Sequence, residues 1–153
     1  TIFNNITLFN DNISESQVWD SIDQVGARRF IEALPNKLNF NVKERGASLS
    51  VGQRQLISCI RIMLYDPKII LLDEATSSVD SETESMIQSA ISKILKNRTS
   101  IVVAHRLSTI KEVDNIIVLE NGEIKEIGDH NSLNKSGGYY RRLYEMQNKN
   151  ILT

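Results

Sequence analysis

Four places in this sequence carry side chains suited to phosphate chemistry. The stretch ASLSVGQRQL, residues 47 to 56, reads as a helix start built to face a negative group. Ser50 and Gln53 have the spacing of a capping box, in which each side chain satisfies a backbone N–H of the first turn. Gly52 between them leaves room for close approach to the backbone, and a helix N-terminus of this kind is a ready anion site. The alternative is a plain cap, since such boxes are common. Asp73 and Glu74 end the apolar run KIILLDEA. Acids at the carboxyl end of a strand suit metal-assisted phosphate chemistry: Asp73 to hold Mg²⁺, through water, and Glu74 to orient or deprotonate an attacking water. The same pair would also serve as a loop start or an N-cap. His105 ends the next apolar run, TSIVVAHR, and lands near the same sheet edge. It can donate to a phosphate oxygen or simply satisfy a carbonyl. Asp80, in SSVDSETE, reads as an N-cap with Glu82 and Glu84 in the first turn, a role compatible with a second one across an interface.

The elements that must position these residues follow from the apolar pattern. Residues 1 to 9 look like a strand end and a loop. Residues 13 to 66 read as mostly helical. One helix covers about Ser14 to Val25 with Ser14 as cap, and another about Ala27 to Leu34, stopping before Pro35. A polar irregular piece reaches Ser48. The helix opening at Ser50 carries Leu56, Ile57, Ile60 and Leu64 on one face and ends before Pro67. From Lys68 the character changes. Two runs apolar on both faces predict parallel strands covered by helices. Between them, residues 81 to 96 form an amphipathic helix with Ile87, Ala90, Ile91, Ile94 and Leu95 inward. NIIVLENGEIKEIG predicts a hairpin with its turn at Asn121-Gly122, and short helices follow near Ser132 and from Tyr139 to about Asn148.

Bulk properties narrow the function. The chain has 153 residues, about one domain's worth. With 41% hydrophobic and 24% charged residues it has ordinary globular composition. A net charge of -1, with no basic stripe interleaved with aromatics, argues against a nucleic-acid partner. The one cysteine, Cys59, excludes an internal disulfide and fits a reducing compartment. The apolar runs are far shorter than the roughly 20 residues that span a bilayer.

Taken in order, LSVGQRQ, IILLDEATSSVD and IVVAHRLST resemble the nucleotide-binding domain of ATP-binding cassette (ABC) transporters. Leu49 to Gln53 resemble its signature motif, usually LSGGQ; Ile69 to Glu74 resemble Walker B with its catalytic glutamate. Ser77 to Asp80 resemble the D-loop, and His105 the switch histidine. The resemblance runs from about residue 3 to residue 147. NVKERGASLS looks like the X-loop of exporters, usually TxVGExG, and the stretch from Ala104 to Gln147 is similar to exporters that fuse a membrane domain to this one. It implies an α/β fold: the second half of a P-loop NTPase (RecA-like) core with parallel strands, plus the ABC α-helical subdomain. Residues 1–9 would be the Q-loop region, 10–66 the helical subdomain, and 67–153 the C-terminal part of the core.

The resemblance also implies a mechanism. ATP and Mg²⁺ would be the cofactors. Ser50, Gly52 and Gln53 would cover the γ-phosphate of an ATP held by a second nucleotide-binding domain. Asp73, Glu74 and His105 would act on another ATP, with Asp80 at the interface. The partners would be that second domain and the transmembrane domain of the same transporter, and the location the cytoplasmic face of the cell membrane. Four departures stand out. Val51 replaces the first signature glycine, Lys43 stands where the X-loop usually has Gly, and Asn4 falls where the Q-loop glutamine, a residue near Mg²⁺, should be. Of the 7 glycines none is followed by Lys, so a G-x-x-x-x-G-K-[ST] loop is absent. In this family that loop lies upstream, so the chain alone is expected to be inactive on ATP. The alternatives are a truncated, non-catalytic fragment that only pairs with a complete subunit, and a soluble ABC ATPase of DNA repair or translation.

Overall fold

A computed structural model of the chain describes residues 1–73, 79–96, 98–104, 110–111 and 113–151, the last five of these by backbone only. Among them are helices α1 (Ile2–Thr7), α2 (Glu15–Val25), α3 (Arg28–Ala33), α4 (Val51–Tyr65) and α5 (Ser81–Leu95), with strands β1 (Ile69–Asp73) and β2 (Thr99–Val103). Strands β3 (Ile116–Glu120) and β4 (Glu123–Gly128) and helices α6 (His130–Ser136) and α7 (Tyr139–Ile151) follow. The chain divides into two compact units, one of residues 1–72 and 76–101, the other of 73–75 and 102–153.

The first unit is built on capped helices. Ser14 and Gln17 form a capping box at the start of α2, and Gly26 at φ 82° ends that helix in the left-handed region. α4 and α5 pack side by side over a core that includes Ile22, Leu56, Ile60, Ile87 and Ile94, all buried. Arg98 fastens their far ends: its Nη2 lies 2.6 Å from Asp66 Oδ1, and its Nη1 donates to the Ile94 carbonyl at 2.6 Å. α5 is the crossover from β1 to its hydrogen-bonded neighbour β2, the kind of connection parallel strands require.

One expectation is corrected here. The segment expected as strand end and loop contains a helix, α1. Thr1 caps it, its Oγ1 accepting from the Asn4 N–H at 3.2 Å, and Ile2 and Ile6 are fully buried one helical turn apart. Arg61 Nε donates to the Asn5 carbonyl and Tyr65 Oη to that of Thr7, so α4 satisfies carbonyls at the C-terminal end of α1. Among the described residues β1 alternates in burial. Ile70 is buried, but Ile69 is 65% exposed and Leu71 75%.

The loop between the 3₁₀ turns Lys37–Asn39 and Glu44–Gly46 has a distinctive backbone. Lys43 has φ 58°, ψ −178°, a conformation that is essentially glycine's alone, and Arg45 follows at φ 53°.

The second unit centres on the expected hairpin. Asn121 and Gly122 have φ 54° and 79°, the two positive values that a tight hairpin turn needs. Ile117 pairs with Ile127 and Leu119 with Ile124 across it. Val118 packs with Leu133 and Tyr140. His130 Nδ1 lies 2.6 Å from Tyr140 Oη, and Tyr140 N–H donates to Glu126 Oε2 at 2.8 Å. No described helix is long and apolar enough to cross a membrane.

Candidate functional site

The capping box at Ser50 forms as its spacing predicts. Ser50 is extended, its Oγ accepts the Gln53 N–H at 3.1 Å, and Gln53 Oε1 accepts the Ser50 N–H at 3.0 Å. Buried Leu49 anchors the chain entering the helix. Arg54 then folds back, its Nη1 donating to the carbonyl of Leu49 at 2.6 Å. The cap uses the N–H groups of Ser50 and Gln53. Those of Val51 and Gly52 belong to the first turn, where no intrahelical acceptor exists, and the cap leaves them unused. Ser50 and Val51 are exposed.

Gly52 is buried, and its neighbours explain the residue. A Cβ at this position would lie 2.5 Å from Thr83 Cγ2 and 2.7 Å from Val79 Cγ1. The absent side chain is therefore filled from within, by the start of α5. Sequence spacing gave no signal for this contact, since residues 31 apart meet only through the packing of α4 on α5.

At that start, Asp80 is the N-cap. Its Oδ1 accepts the Thr83 N–H at 2.9 Å, which holds its carboxyl below the usual range. The first turns of α4 and α5 thus lie together, two positive dipole ends converging. Asp80, Glu82 and Glu84 supply the negative charge at the α5 end. The α4 end has no acid in its first turn.

The other candidates are placed separately. Asp73 is the exposed last residue of β1 and belongs to the second unit. Mg²⁺ takes one or two carboxylates and completes its shell with water and phosphate oxygens, so an exposed strand-end aspartate fits that ion in kind. Among the described residues no group of three or more His, Cys, Asp and Glu gathers to hold a metal by itself. Asn4 lies half-buried on α1. Glu74, His105 and Ser77 lie outside the described residues.

Known proteins resemble this chain throughout. A family profile described as "ABC transporter" matches residues 1–77. The probable multidrug resistance ABC transporter ATP-binding/permease protein YheH of Bacillus subtilis is 44% identical over 147 residues, which is 96% of this chain and 22% of that protein. The ATP-dependent lipid A-core flippase of Shewanella oneidensis is 44% identical over 154 residues, 93% of this chain and 26% of that protein. A solved structure of a bacterial Atm1-family ABC exporter with ATP bound superposes with a TM-score of 0.82 at 37% identity, over 96% of this chain and 26% of the other. The chain thus spans about a quarter of the length of these two relatives.

Proposed function

The chain belongs to the ABC transporter family, and from that premise we propose that it is the signature and Walker B portion of an exporter's ATP-driven motor. The observation that carries this reading is the first turn of α4, exposed at Ser50 and Val51, capped by Ser50 and Gln53, and free of acids. The names of the relatives, a multidrug ATP-binding/permease protein and a lipid flippase, favour an exporter over a soluble ATPase.

In the complete protein two nucleotide-binding domains face each other across two ATP molecules. Ser50, Gly52 and Gln53 present backbone and side-chain donors to the γ-phosphate of the partner's ATP. Asp73 would hold Mg²⁺, through water, beside this domain's own ATP, with Asn4 a weaker contributor. When bound, that ion supplies charge neutralisation on the phosphates. Glu74 orients the attacking water, and His105 ties Glu74 to the γ-phosphate. Asp80 lies at the dimer interface. Residues 1–9 serve as the Q-loop region, 10–66 as the helical subdomain and 67–153 as the C-terminal part of the core. On closure the helical subdomain pushes on the transmembrane domain through residues 40–46, at the cytoplasmic face of the membrane.

The test is ATP hydrolysis by the full-length transporter and its Glu74→Gln variant. Loss of turnover with retained ATP binding is expected. Unchanged turnover would remove Glu74 from the mechanism and the motor reading with it.

A further inference from the structure

Thr83 stands in the first turn of α5, and its one Cβ carries two groups with different partners. The hydroxyl and the backbone N–H both donate to the Asp80 carboxylate, the N–H to Oδ1 at 2.9 Å. The methyl lies where a side chain on Gly52 would go, since a Cβ added there would come within 2.5 Å of Thr83 Cγ2. Val79, just before Asp80, fills the same space, its Cγ1 2.7 Å from that position.

A β-branched side chain is stiff at χ1, and its two γ substituents turn together. The rotamer that keeps the hydroxyl on Asp80 is therefore also the one that keeps the methyl against Gly52. If the hydroxyl lets go and the side chain turns, the methyl leaves Gly52 as well. Gly52 has no side chain to hold its own place, so the first turn of α4 takes its seat on α5 from Thr83 and Val79.

That seat matters because of what the turn presents. The N–H groups of Val51 and Gly52 have no intrahelical acceptor, and the cap leaves them unused. Hydrogen bonds weaken steeply as distance and angle leave their optimum. A backbone donor cannot swing as a side chain does, so it is only as well aimed as the turn that carries it.

We infer that Thr83 is a positioning residue for the ATP that this turn would meet: its methyl and its hydroxyl together lock the first turn of α4 to the Asp80 cap, so that the phosphate-facing donors and Asp80 move as one. Thr83 touches no phosphate itself and acts through Gly52. The inference deepens the motor reading and rests on its assignment of Ser50, Gly52 and Gln53 to the γ-phosphate of the partner's ATP.

Steady-state kinetics of the full-length transporter test it, with ATP as substrate and ADP as competing inhibitor. ADP lacks the γ-phosphate, so it reports on the rest of the nucleotide grip. Thr83→Ser keeps the hydroxyl and loses the methyl; Thr83→Val keeps the shape and loses the hydroxyl. Each is expected to raise KM for ATP several-fold with kcat near wild type, the mark of an interaction already made in the bound ground state. The inhibition constant of ADP should stay at the wild-type value. With Asp80→Ala the hydroxyl has no acceptor, so adding Thr83→Val should raise KM no further. Three results would overturn the proposal. KM at the wild-type value in both variants, with only the urea unfolding midpoint lowered, would leave Thr83 a packing residue. ATP and ADP weakened alike would mean a general loosening of the nucleotide site. A full, additive effect of Thr83→Val on the Asp80→Ala background would break the link to Asp80. Turnover indifferent to Glu74→Gln would remove the motor reading, and this inference with it.

Discussion

Gly52 and Thr83 meet where the first turns of α4 and α5 touch, and a methyl group on Gly52 would come within 2.5 Å of Thr83 Cγ2. Glycine here serves the packing of two helices and, in the proposed motor, the approach of a phosphate. The two roles make different demands and separate by substitution.

Gly52→Ala should destabilise the protein by about 1–3 kcal/mol, the usual cost of overpacking a tight contact. Both obstructing atoms are methyls of β-branched side chains, which are stiff at χ1 and yield poorly. Thr83→Ser removes the nearer methyl. In urea unfolding, Gly52→Ala with Thr83→Ser should regain part of the loss. A double variant no more stable than Gly52→Ala would show that the contact does not limit the site.

Ser50 offers a cleaner separation of cap from function. Ser50→Ala should cost about 1 kcal/mol of stability, the typical value of a lost N-cap. Ser50→Asp keeps the cap, since Asp serves there as well as Ser, but adds a negative charge where the partner's γ-phosphate would sit. Its unfolding midpoint should stay near wild type while ATP turnover of the full-length transporter falls far below that of Ser50→Ala. Equal turnover in the two variants would mean that this turn meets no phosphate.

Much of this was legible locally. Ser14, Ser50 and Asp80 announced α2, α4 and α5 because a cap is written within four residues. Asn121-Gly122 announced the hairpin for the same reason. The helix α1 escaped because six residues cannot hold a helix alone. It depends on Arg61 and Tyr65, which lie 56 and 58 positions away from their partners. The Gly52–Thr83 contact escaped likewise, as did the nearness of Lys43 to Arg61, which line one hollow only once α4 has packed against the loop. At the candidate site, the placement of Ser50, Gln53 and Asp80 could be read directly, whereas the burial of Gly52 could not.

Asp80 carries a pH dependence of known sign. The Thr83 N–H holds its carboxyl below the ordinary value of 3.8 in the folded protein. Its stabilising effect is therefore complete above that value and is lost as pH falls through the lower, folded one. Asp129, capping α6 through the N–H groups of Ser132 and Asn131, behaves alike. Asn caps as well as Asp without titrating. Asp80→Asn should therefore be less stable than wild type at neutral pH, where the charged cap also meets the helix dipole. That difference should shrink as pH falls below about 4, the unfolded carboxylate value, and vanish only below the lower, folded one. Parallel melting curves for both proteins across that range would mean the cap adds no charge-dependent stability.

Lys43→Gly makes a prediction with opposite signs on two readouts. The backbone at φ 58°, ψ −178° costs any residue with a side chain about 1–3 kcal/mol, and glycine relieves that strain. Glycine also gives back some unfolded-state entropy, so the net gain should lie toward the lower end of that range. The variant's unfolding midpoint should rise. Stimulation of ATP turnover by transported substrate should weaken in the full-length transporter, because residues 40–46 lose a cation at the contact proposed with the transmembrane domain. A rise in stability with undiminished stimulation would place Lys43 outside the coupling contact and leave its strain without a functional return. A fall in stability would mean that the side chain itself holds the loop in shape.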